Sequence, residues 1–148
     1  MSRRSERRVV PPGEDDCLPA VVGLAERIRE ADGVLRQRRS YLEKEYRVHT
    51  GVCCLSADDA RRLLGFAVVR GTGYLSLLGV APAARRTGVG SDLVAVARDR
   101  HDELACHVRA ANGPARWFYR HLGFSARRRV PGYYDDGDDA LLFRLADS

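Results

Sequence analysis

Lysine is almost absent from this chain: Lys44 is the single one among 25 lysines and arginines in 148 residues. Long apolar runs are missing too. None approaches the roughly 20 residues that a membrane-spanning helix needs, and the basic start, Met1 to Val10, lacks the apolar centre of a secretory leader. The four cysteines, Cys17, Cys53, Cys54 and Cys106, show no paired C-x-x-C spacing. That argues against a zinc site or a disulfide frame, and they read as reduced, buried small hydrophobes. No G-x-x-x-x-G-K-[ST] occurs, which excludes a P-loop, and no early G-x-G-x-x-G, which excludes a Rossmann dinucleotide site. The formal charge is only +5, and its basic groups scatter along the chain instead of alternating with aromatics. A nucleic-acid partner is not expected on that pattern. These absences predict a cytoplasmic protein with no membrane attachment and no metal.

With 45% hydrophobic and 30% charged residues, the composition is that of a globular domain large enough to build its own core. Residues 1–8 read as a flexible basic tail and 9–148 as a single domain. Val9-Val10 begins a short strand that stops at Pro11-Pro12-Gly13. Glu14, Asp15 and Asp16 are capping candidates for a helix from about Leu18 to Ala31, broken by Asp32-Gly33. A second, strongly charged helix is expected over Val34–Tyr46, with Leu35 and Leu42 as core contacts. Strands over Val48–Ser56, Leu63–Arg70 and Tyr74–Val80, joined by short turns, suggest an antiparallel meander. A helix over Ser91–Asp102 then leads to a strand over Leu104–Arg109, expected to lie parallel to the one ending at Val80. A helix over Pro114–Leu122, stopped by Gly123, and strands over Phe124–Val130 and Ala140–Leu145 complete the chain. The fold class is α+β, with a mixed, mostly antiparallel sheet of about seven strands and about four helices.

One junction stands out. The apolar run ending at Leu78, Gly79 and Val80 stops at Pro82, a basic loop follows through Arg85, Arg86 and Thr87, and Gly88 and Gly90 open a helix. Unpaired backbone N–H groups and the positive end of a helix dipole suit a phosphate there, although a plain strand-to-helix turn would read the same. Other residues are equally ambiguous alone. His107, within a short strand, is either a structural donor or a base, and Tyr119 is either core packing or an acid. Tyr133-Tyr134 before a run of aspartates is either a solvated loop or an aromatic, acidic mouth.

Their order along the chain is more specific. Arg85-x-x-Gly88-x-Gly90, then His107-Val108-Arg109-Ala110-Ala111-Asn112, then Trp117-Phe118-Tyr119-Arg120-His121-Leu122-Gly123-Phe124 resembles the GNAT superfamily of acyl-CoA-dependent N-acetyltransferases. With Tyr133-Tyr134 and the run Asp139-Ala140-Leu141-Leu142-Phe143-Arg144-Leu145, the segment from Tyr74 to Leu145 resembles the protein N-terminal acetyltransferase branch, in particular the bacterial ribosomal-protein-alanine type. Before Leu63 the resemblance fades: the stretch between the first two helices is charged and lacks that branch's Pro-Trp pair.

The resemblance implies an acetyl-CoA-dependent enzyme acting on a protein or peptide N-terminus, or alternatively on a small-molecule amine. A third reading is a non-catalytic acyl-CoA-binding module. Backbone groups of Leu78, Gly79 and Val80 would pair with the pantetheine arm, and Arg85, Arg86, Thr87, Gly88, Val89, Gly90 and Ser91 would hold the pyrophosphate. Asn112 would hydrogen-bond the pantetheine, and Tyr119 would protonate the departing thiolate. His107, where the bacterial enzymes usually have glutamate, would be the base with Tyr74 beside it, and Tyr133 and Tyr134 would meet the acceptor. An α-amine with a pKa near 8 suits a neutral imidazole as base. Cys106 should face away from His107 across the strand, which argues against a Cys–His nucleophile.

Overall fold

The strands of the computed structural model are Ser5–Val10 (β1), Thr50–Ser56 (β2), Leu63–Val69 (β3), Leu75–Val80 (β4), Glu103–Arg109 (β5), Ser125–Val130 (β6) and Ala140–Ala146 (β7). The helices are Leu18–Asp32 (α1), Arg39–Val48 (α2), Val89–Arg100 (α3) and Gly113–His121 (α4). The described residues are 5–33, 35, 37–58 and 61–146.

The strands form two antiparallel sheets, β1-β2-β3-β4 and β5-β7-β6. β2 (TGVCCLS) and β3 (LLGFAVV) are apolar at nearly every position because both faces of their sheet are covered. Cys53, Phe66, Val68 and Leu77 pack with α1 and α2 on one face, while Val52, Cys54, Ala67 and Val69 pack with α3 and the second sheet on the other. β5 instead alternates. Leu104, Cys106 and Val108 enter the core, and Ala105, His107 and Arg109 point to the opposite face, where each is half-buried.

Several expectations are corrected. The basic start is part of the sheet from Ser5 onward, with Arg7 opposite Cys54 and Arg8 opposite Cys53, so the flexible tail does not extend to residue 8. Pairing along β2 orders these arginines although their side chains are exposed; residues 1–4 lie outside the described residues. None of the three acidic residues caps α1, whose N-cap is Cys17 in a left-handed conformation (φ 66°); Asp16 pairs with Arg8 instead. The second helix begins at Arg39, and Leu35 lies in the connection before it; Val34 and Arg36 lie outside the described residues. Gly33 does end α1 in a left-handed cap, its N–H donating to the Arg29 carbonyl. Among the described residues, no helix is long and apolar enough to cross a membrane.

Candidate active site

The two sheets touch at one parallel bridge, Tyr74 to Ala105, where the Ala105 N–H donates to the Gly73 carbonyl at 3.1 Å. Gly73 is required there twice over. Its φ is 89°, and a Cβ would sit 2.1 Å from the Glu103 carbonyl oxygen. Past this weld the strands part, so the expected parallel pairing is confined to one position. β4 carries a bulge: Val68 faces Leu77 and Val69 faces Leu75, leaving Ser76 as the extra residue. A bulge bends its strand and increases the local twist, and from Leu77 to Val80 the outer edge of β4 has no strand neighbour. Leu78, Gly79 and Val80 therefore border an open slot in which an extended, amide-bearing molecule could add to the strand edge.

The end of the slot carries a run of backbone donors without protein acceptors. After the short turn Pro82–Ala84, the Arg85 N–H is taken up by the Pro82 carbonyl, and the Arg85 guanidinium by Asp32 at the end of α1. From Arg86 to Ser91, no backbone N–H has a protein acceptor among the described residues. Arg86 (φ 64°) and Gly88 (φ 91°) turn the chain so that these donors follow one another into the first turn of α3. A Cβ on Gly88 would meet nothing within 4 Å, whereas one on Gly90 would sit 2.9 Å from the Phe118 ring. The absence of a side chain at Gly90 thus admits α4 against α3. The Thr87 hydroxyl closes the turn by donating to the Ala84 carbonyl.

Beside the weld opens a cleft of about 380 Å³ lined by Tyr41, Arg70, Thr72, Tyr74, His107 and Tyr133. The Tyr74 hydroxyl lies 2.6 Å from His107 Nδ1 and the Tyr133 hydroxyl 3.4 Å from the same atom. Tyr133 stacks on the imidazole, with centroids 4.4 Å apart and planes 16° from parallel. Burial and the field of Arg128 both lower the His107 pKa from its ordinary value, so the ring is neutral at pH 7. Burial, with Tyr133 nearby, raises that of Tyr74, whose proton is firmly held. The Tyr74 hydroxyl and His107 Nδ1 share one hydrogen bond, and the tautomer of the neutral imidazole decides which of them donates.

Other expected residues lie elsewhere. Tyr134 does not line the cleft; the Arg109 guanidinium sits 4.0 Å from its ring centroid, and burial pushes its pKa up to about 12. Asn112 caps α4, its side-chain oxygen accepting from the Ala115 N–H at 3.1 Å. Tyr119 lies behind β5 among Phe118, Phe124 and Phe143, on the side to which Cys106 projects. Burial above all, with the neighbouring Cys106 thiol, raises its pKa well above the ordinary value. Burial pushes the Cys106 thiol itself up to about 12, so no thiolate is poised there. Among the described residues, no group of three or more His, Cys, Asp or Glu side chains could hold a metal ion.

Sequence reasoning missed the wall formed by Tyr41, Arg70 and Thr72. Arg70 donates to Glu45 at 3.0 and 3.2 Å and to the Tyr41 hydroxyl at 3.2 Å, and lies 5.2 Å from the Tyr74 ring centroid. Glu45 is only 5% exposed. Burial alone would raise its pKa, but the hydrogen bonds from Arg70, with the charges of Arg70 and His49, bring it below the usual carboxylate value. The available signal was the i, i+4 spacing of Tyr41 and Glu45 on one face of α2; nothing local to Arg70 points to it.

Residues 50–126 match the acetyltransferase (GNAT) domain family, and the chain belongs to that family. An uncharacterized N-acetyltransferase of Methanocaldococcus jannaschii is 31% identical over 99 residues, which cover 61% of this chain and 64% of that one. N-alpha-acetyltransferase 30 of Mus musculus is 27% identical over 97% of this chain, and the match covers 44% of the mouse protein. The chain thus spans less than two thirds of either relative. Among solved structures, the ribosomal-protein-S18-alanine N-acetyltransferase of Escherichia coli superimposes with a TM-score of 0.70 at 20% identity, covering 97% of this chain and 96% of that one.

Proposed function

We propose that this protein is an acetyl-CoA-dependent N-acetyltransferase acting on the α-amine of a protein or peptide N-terminus. The observation that carries the reading is the Tyr74–His107–Tyr133 cluster at the mouth of the slot between β4 and β5. Acetyl-CoA fits the residues around that slot. The N–H groups from Arg86 to Ser91 suit its pyrophosphate, the free edge from Leu77 to Val80 suits its amide-bearing arm, and the group supplies a thioester as acyl donor.

In this reading, the acceptor amine enters from the cleft and gives its proton to the Tyr74 hydroxyl. Tyr74 passes its own proton to His107 Nδ1, leaving an imidazolium that carries a proton on each nitrogen. The rigid sheets hold the amine facing the slot. Behind β5, Tyr119 keeps a proton available for a thiolate. Transfer is direct: the protonated, buried Cys106 faces away from His107, so no acyl-enzyme forms. Tyr133, 45% exposed at the mouth, offers an aromatic wall to a peptide's first residues. Three of the four aspartates of the acidic loop, which would suit a cationic small molecule, are engaged: Asp136 and Asp138 with Arg109, and Asp139 with Arg129.

The test incubates the protein with acetyl-CoA and matched acceptors: peptides with free or blocked N-termini, and small amines. Acetylation only of peptides with free α-amines is expected. Acetylation of small amines, or of lysine side chains in blocked peptides, with none at α-amines would refute the reading. In the same assay, Tyr119→Phe should lower turnover with acetyl-CoA affinity unchanged.

A further inference from the structure

Arginines around the cleft are matched to carboxylates: Arg70 with Glu45, Arg109 with Asp136 and Asp138, Arg129 with Asp139, and Arg144 with Glu103. Arg128 is different. It is exposed, and among the described residues it has no carboxylate partner. Register places it on the face that carries His107, because Leu142 of β7 lies directly opposite His107 on one side and Arg128 on the other. Side chains at directly paired positions share a face. The Arg128 charge reaches the imidazole, disfavouring its protonated form.

An unmatched cation beside a base opposes the base's function, since it makes the ring a weaker proton acceptor. The other groups around His107 do not offset it. The Tyr74 and Tyr133 hydroxyls share Nδ1, Cys106 faces the other side of the strand, and Arg109, two residues along the same face, is already paired. Arg70, at the cleft wall, is held by Glu45. The missing counter-charge therefore falls to the acceptor.

Resting on the acetyltransferase reading above, we propose that Arg128 is a specificity-determining residue that binds a carboxylate of the acceptor close to its reactive amine. Two strand spacings separate the backbones of His107 and Arg128, roughly 10 Å. An extended peptide covers that distance in about three residues, so the carboxylate belongs to an Asp or Glu at its second to fourth position. Binding places a negative charge beside Arg128, relieves its field on His107 and makes the imidazole a better base for that acceptor.

The experiment measures kcat/KM with acetyl-CoA for peptides identical except for Asp, Asn or Lys at positions two to four. Wild-type protein should favour Asp over Asn by about fivefold, and the low-pH limb of kcat, which reports the bound complex, should lie at higher pH for the Asp peptide. Arg128→Gln should bring the Asp:Asn ratio to within twofold of one, and Arg128→Glu should turn the preference to Lys. Equal wild-type rates on Asp and Asn peptides, or an unchanged ratio in Arg128→Gln, would overturn the proposal. If no peptide is acetylated but small amines are, the peptide reading fails instead. γ-Aminobutyrate against n-butylamine, in wild type and Arg128→Gln, then decides the role of Arg128 by the same ratio.

Discussion

The four-stranded sheet β1-β2-β3-β4 and the three-stranded sheet β5-β7-β6 are both antiparallel but are covered differently. The first is closed on both faces, by α1 and α2 on one side and α3 with the second sheet on the other. The second buries one face and leaves the other to solvent, so the half-buried His107 of β5 lies only one residue from the core thiol Cys106. Double coverage gives a rigid platform with no room for polar chemistry. Single coverage lets a polar side chain project from a fixed backbone at little solvation cost. The candidate site lies at the line where the two sheets part.

The contrast is broken most directly from the closed side. Phe66, fully buried in β3, should cost about 3–5 kcal/mol of stability when changed to Ala, the range for an aromatic removed from a close-packed core. Leu142, partly exposed beside His107, should cost no more than about 1 kcal/mol for the same change. Urea denaturation with equal m-values measures both. Equal losses would mean that the open face of the second sheet is covered after all.

The weld at Gly73 comes next in size. Gly73→Ala adds a methyl 2.1 Å from a carbonyl oxygen at a φ of 89°. Overpacking and positive-φ strain together should cost about 2–4 kcal/mol. Because the clash falls where β4 and β5 separate, activity should drop further than stability explains. A variant with wild-type activity and melting temperature would show that the slot does not depend on this contact.

Much of this was legible in the sequence because local patterns carry it. The apolar runs of β2 and β3, the alternation around His107 and the stop at Gly33 are all set by neighbours within a few residues. The turn into α3, with its unaccepted N–H groups from Arg86 to Ser91, was legible for the same reason. The contacts that failed to appear there join distant residues. Glu45 meets Arg70 across 25 positions, Arg85 turns to Asp32 across 53, and Gly90 is filled by Phe118. Charge alone cannot say which of many arginines finds which carboxylate. The first four residues of β1 were read as tail because Glu6, Arg7 and Arg8 look solvated, whereas pairing with β2 orders the backbone whatever the side chains do.

His107→Ala sharpens the comparison from the open side. His107 lies on the half-buried face of β5, so its loss should leave the fold intact while lowering kcat/KM by about 100-fold. The pH dependence separates this from a packing defect. In the wild-type protein, kcat/KM should rise through two steps, one for the α-amine near 7.7–8.0 and one for His107 below 6.5, since burial and Arg128 lower its pKa. The variant should keep the amine step and lose the lower one, so its deficit narrows as the pH falls below that of the lower step. Stability has a matching sign. A histidine with a lowered folded pKa contributes stability that is present above 6.5 and lost as pH falls through the folded value, so His107→Ala should be less acid-sensitive than wild type. A variant that retains both kinetic steps would remove His107 as the proton acceptor and return the open face to a structural role.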